Sequence, residues 1–116
     1  MASFVRHYKQ RLTDTLLYSV SSRDTYKFFD LRQINNDTLT KNGVTVCFDD
    51  RNVVIDLMNS DETVETRVTE AAVYTAVKLS DEHIMLSVKT TEHFGKSVYL
   101  TTVEANQLVT LLQKEV

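Results

Sequence analysis

The chain has 116 residues, 42% of them hydrophobic and 25% charged, and a formal net charge of −3. Such values suit an ordinary packed domain and exclude a disordered tail or a collagen-like repeat. A single cysteine, two glycines and no proline exclude a disulfide framework, a proline-rich linker and a glycine-rich phosphate loop.

Residues 1–116 read as one domain. No apolar run approaches the roughly 18 residues of a membrane span. The N-terminal residues lack the apolar stretch of a signal peptide, so the expected address is cytoplasmic. Charge is unevenly divided along the chain. Residues 1–32 carry six basic side chains against three acids, and residues 33–116 carry seven against thirteen.

At the N-terminus Phe4, Tyr8, Leu12 and Leu16 recur at i, i+4, with Val5 and Val20 alongside and Arg6, His7, Gln10 and Arg11 opposite. This spacing predicts a helix over about 3–17, with Ser3 as its cap. The same residues allow another reading, in which Leu16–Val20 and Tyr26–Leu31 are the arms of a hairpin around Ser21, Ser22, Arg23 and Asp24. From Ile34 to Gly43 the asparagines and Asp37 predict a loop, with a tight turn at Asn42-Gly43.

Val44–Phe48 and Val53–Met58 flank the polar break Asp49-Asp50-Arg51-Asn52 and predict a hairpin. Between Val64 and Leu79 the alternation of Val73, Thr75, Val77 and Leu79 predicts a strand over about 66–79, although Val64, Val68 and Ala72 also suit a helix. After the turn at Ser80–His83, Ile84, Leu86 and Val88 alternate with polar neighbours and complete a second hairpin. A short strand, Val98–Leu100, enters a capping box at Thr101-Thr102-Val103-Glu104, and Leu108, Leu111 and Leu112 carry a helix to about Lys114. The expected fold is α+β: one antiparallel sheet of five or six strands, with an N-terminal and a C-terminal helix packed on one face.

Chemical constellations are sparse. His7, His83 and His93 are scattered, which leaves His83 beside Asp81 and Glu82 as the least implausible metal group; no metal and no cofactor are expected. Cys47, in an apolar run beside two acids, reads as a small buried residue rather than a reactive thiol. No serine or cysteine sits in a nucleophile motif. The carboxylates cluster in turns and on alternating strand positions, as on a solvated face; Asp56, between Ile55 and Leu57, is the exception worth locating. The chain is therefore not expected to be an enzyme.

Two binding functions remain. Arg23, Tyr26, Lys27, Phe28, Phe29 and Arg32 interleave cations with aromatic rings, the combination that holds single-stranded nucleic acid. The stretch Gly95-Lys96-Ser97-Val98-Tyr99-Leu100, followed by Glu104 and Leu108, resembles the last strand and helix of the positive-cofactor class of single-strand DNA-binding coactivators. That resemblance covers about the last twenty residues and implies a strand entering a helix beside a nucleic-acid surface. Overall acidity opposes phosphate binding. The main reading is therefore a protein-binding module, an adaptor or an inhibitor, that uses Asp49, Asp50, Asp61, Glu62 and Glu65 or an exposed sheet edge. Self-association through that edge is a further expectation. In size and plainness the chain resembles small phage accessory proteins that block host factors.

Overall fold

The chain begins with a strand, where the sequence predicted a helix. In the computed structural model, which describes residues 4–35, 40–91 and 95–114, β1 runs from Phe4 to Arg11 and pairs antiparallel with β2, Leu16–Arg23. Residues rich in Phe, Val, Tyr and His have weak helix propensity, and pairing with β2 decides the outcome. A register shift between Arg6 and Tyr8 explains the misleading pattern. The extra residue at the bulge moves Phe4 and Tyr8 onto opposite faces of a strand, so their i, i+4 spacing never becomes one stripe.

The alternative hairpin of the sequence is the one that forms. β2 turns at Asp24, whose φ of 55° is tolerated by a short polar side chain, into β3, Tyr26–Asn35. β4, Thr40–Cys47, then pairs with β3 and contains the Asn42-Gly43 pair expected in a turn. Gly43 eases a close approach there: a Cβ would lie 3.3 Å from the carbonyl oxygen of Leu31 on the neighbouring strand.

Val53–Met58 is helical rather than a hairpin arm. A short 3-10 turn, Phe48–Asp50, leads into α1, Arg51–Met58. Val54, Ile55, Leu57 and Met58 are buried at i, i+1, i+3, i+4, a helical stripe built from residue types that favour strands. The segment expected as one strand over 66–79 is divided into β5, Val64–Val68, and β6, Val73–Lys78. Thr69 makes this turn, its Oγ1 accepting from the amides of Ala71 and Ala72. β7, His83–Lys89, and β8, Lys96–Thr101, follow, and α2 spans Thr102–Lys114.

The single sheet of five or six strands is thus overturned: two four-stranded antiparallel sheets run in the orders β1-β2-β3-β4 and β5-β6-β7-β8. The helices correct the expectation too, since one follows each sheet and, among the described residues, none precedes the first. They pack on each other, α1 against β5 and β6 and α2 against β7 and β8. One buried cluster joins the inner faces and both helices, with Tyr18, Phe29 and Leu31 from the first sheet, Tyr74 and Leu86 from the second, and Leu57 and Leu108 from the helices.

The capping box forms as the sequence predicts. Glu104 N–H donates to Thr101 Oγ1 at 3.1 Å and Thr101 N–H donates to Glu104 Oε1 at 3.0 Å. Glu104 is buried, and its second oxygen accepts from Thr13 Oγ1 at 2.8 Å, which ties α2 to the β1–β2 turn. A side chain also joins the sheets. Gln33 of β3 donates to Tyr99 O at 2.5 Å and accepts from Tyr99 N–H at 3.1 Å, which satisfies backbone groups on the free edge of β8.

Candidate nucleic-acid interface

Alternation along the first sheet sorts its side chains onto two faces. Leu16, Tyr18 and Val20 on β2, Phe29 and Leu31 on β3, and Val44 and Val46 on β4 point inward. The register then places Phe4, Arg6, Lys9 and Arg11 of β1 on the outer face, beside Leu17, Ser19, Ser21 and Arg23 of β2. Tyr26, Phe28, Asp30, Arg32 and Ile34 of β3 lie next to them, followed by Lys41, Gly43, Thr45 and Cys47 of β4. Six cations therefore share this face with one acid.

Aromatic rings occupy one end of it. Tyr26 stacks on Phe28 with centroids 5.5 Å apart, and the Phe4 ring, tilted by 44°, lies 6.4 Å from Phe28. Phe4 is 51% exposed and Tyr26 46%, so ring area stays open to a stacking partner. Burial, with smaller contributions from Cys47, Asp50 and Asp30, pushes the Tyr26 phenol up to about 12. Ser19 and Ser21 are buried between the larger neighbours and keep the middle of the face low.

The surface is concave. A cleft of about 690 Å³ is lined by Phe4, Arg6, Arg23, Tyr26, Phe28 and, from the β7–β8 side, Thr90, Thr91 and Lys96. A second, of about 820 Å³, is lined by Arg11, Leu17, Ile34, Lys41 and Gly95. The two share Asp30, Arg32, Thr45 and Lys96, which makes them continuous along β3. Thr90, Thr91 and Gly95 beside β7 and β8 add to the lining, and Lys96 at the start of β8 adds a further cation.

Of the residues the sequence singled out for nucleic acid, the structure brings Arg23, Tyr26 and Arg32 onto this face. Phe29 is fully buried in the core, and Phe28 stands where a stacking ring is needed. Lys27 points to the inner side and lies 4.1 Å from the centroid of Phe48. Phe4, Arg6, Lys9 and Arg11 went unrecognised because the first segment reads as a helix, and Lys41 because its segment reads as a loop. The period-two placing of Phe4 and Arg6, and of Lys9 and Arg11, was the available signal.

Of the acidic residues proposed for protein binding, two are half-buried and three are exposed. Asp50 is half-buried and accepts from Tyr74 Oη at 2.5 Å and Thr69 Oγ1 at 2.8 Å. Glu65 is half-buried on β5, 3.8 Å from Arg67. Asp49, Asp61 and Glu62 are exposed in the turns that flank α1. Asp56 is exposed and reaches Arg67 at 3.8 Å. Cys47 is half-buried on the outer face of the first sheet, and His83 is exposed with Nδ1 3.2 Å from Ser80 Oγ. His93 lies outside the described residues. Among the described residues no group of three His, Cys, Asp or Glu side chains could hold a metal ion, and no helix is long and apolar enough to cross a membrane.

No protein-family model and no curated protein matches the chain. Solved structures do resemble it. The Trypanosoma brucei MRP1/MRP2 structure is similar at TM-score 0.49 and 13% identity, over 97% of this chain and 81% of that one. A guide-RNA-binding protein complex bound to a gRNA gives TM-score 0.49 and 14% identity, over 97% and 87%. WHY1 of Arabidopsis thaliana gives TM-score 0.42 and 12% identity, over 97% and 88%.

Proposed function

We propose that the chain binds single-stranded nucleic acid across the outer face of its first sheet. The observation that carries this reading is the company of six cations and three partly open aromatic rings on one concave face of a protein whose net charge is negative. The backbone tracks along Arg6, Lys9, Arg11, Arg23, Arg32 and Lys41, and bases lie on Phe4, Phe28 and Tyr26. Stacking of this kind is tolerant of sequence, because every base has a π-face. The gRNA-bound neighbour has a ligand of the same class. The acidic protein-docking reading lacks a comparable surface, since Asp50 is held by Tyr74 and Thr69, and Glu65 faces Arg67.

Fluorescence anisotropy with labelled oligo-dT and oligo-rU across a salt series tests the proposal. Six phosphate contacts on a single strand predict a log–log salt slope of about −4. Absence of binding at low salt, or affinity indifferent to salt, would sink it.

A further inference from the structure

We infer that Asp30 reads guanine at one position of the bound strand, an inference that rests on the nucleic-acid reading above. Among the described residues Asp30 is the only acid on a face of six cations. An anion there weakens phosphate binding. Among the described residues it nevertheless forms no ion pair. It is held in place instead, for Thr45 Oγ1 donates to its Oδ1 at 2.5 Å. That bond fixes the plane of the carboxylate and leaves Oδ2, with the remaining lone pairs of Oδ1, to accept.

An ionised carboxylate only accepts, so whatever sits against it must donate. The nucleobase edges differ in how well they can. Guanine presents N1–H and N2–H side by side, a pair that matches the two oxygens of one carboxylate. Adenine and cytosine present a single amino group beside a ring acceptor that the carboxylate repels, and thymine or uracil presents one N–H between two carbonyls.

Position favours a base edge over the sugar. Phe28 precedes Asp30 by two residues on the same face, about 6.7 Å along the strand. A base lying on the Phe28 ring directs an edge at the Asp30 carboxylate, and Arg32, two residues further, is placed for the adjoining phosphate. Asp30 lines both clefts at this point, together with Arg32, Thr45 and Lys96.

The test uses the whole chain and a short labelled oligo-dT in which one central dT is replaced by dG, dA, dC or deoxyinosine, which lacks the guanine amino group. The dG oligomer is expected to bind roughly tenfold more tightly than the dT, dA and dC oligomers, within the range of a good two-bond base contact. Deoxyinosine should fall between, and dA controls for purine stacking. In Asp30→Asn the preference for dG should vanish while oligo-dT affinity stays level or rises. Equal affinities for all bases in the unsubstituted protein, or a dG preference that survives in Asp30→Asn, would overturn the inference and leave the nucleic-acid reading standing. Failure to bind any of the oligomers would overturn both.

Discussion

The two sheets of this protein repeat one plan and differ in what they show to solvent. Each is a four-strand antiparallel meander followed by a helix, with an apolar inner face. The second sheet's outer face consists of Val64, Thr66 and Val68, then Val73, Thr75 and Val77, then His83, Met85, Ser87 and Lys89, then Ser97, Tyr99 and Thr101. Lys89 is its one fixed charge. The first sheet carries six cations and three rings in the corresponding layer. Because alternate strand positions decide only which face a residue joins, inner positions can preserve the fold while outer ones acquire or lose a ligand. The +3 of residues 1–32 is thereby explained, since five of their six cations lie on that outer layer.

Neighbouring residues of β3 give the largest contrast. Phe29→Ala empties a fully buried site and should lower stability by about 3–5 kcal/mol in denaturant unfolding. Phe28→Ala should leave the melting curve nearly unchanged and remove about 1–3 kcal/mol of oligo-dT affinity. If both substitutions acted alike on binding, the division of the sheet into core and ligand faces would be wrong. Charge reversal comes next. Arg23→Glu with Arg32→Glu should weaken oligo-dT binding roughly hundredfold at low salt and flatten the salt slope, whereas Lys89→Glu on the second sheet should do neither.

Asp50→Ala tests whether this acid serves the fold rather than a partner. It strands the buried Tyr74 hydroxyl and should cost about 2 kcal/mol of stability with no effect on oligo-dT. Tyr74→Phe removes the donor together with the need for an acceptor and should cost less. Burial first, then the Asp50 bond, holds the Tyr74 phenol well above its ordinary value of 10. Its contribution is therefore complete below pH 10 and is lost as pH rises through the folded value. The smallest effect is expected at the α2 cap, where Thr101→Ala should lower stability by about 1 kcal/mol.

What the sequence made legible follows from where local signals and tertiary pairing agree. The β6–β7 hairpin and the Thr101–Glu104 cap were readable because alternation and capping chemistry are complete within a few residues. β1 was not, because a bulge at His7 turned a strand's alternation into an apparent helical stripe. α1 was not, because Val53, Val54 and Ile55 favour strands individually and become helical only under the packing of Val54 and Leu57. The candidate site was half legible. The mix of cations and rings between Arg23 and Arg32 was visible, but choosing Phe28 over Phe29 needed the parity of β3, and the β1 cations needed β1 to be a strand.

Backbone amide chemical shifts followed during titration with a short oligo-dT test the central claim most directly. The account predicts that perturbations concentrate at Arg6, Arg23, Phe28 and Arg32 of the first sheet, extend to Lys96, and spare Thr66, Thr75 and Met85. Perturbations centred on the second sheet's outer face, or none at saturating oligomer, would contradict it.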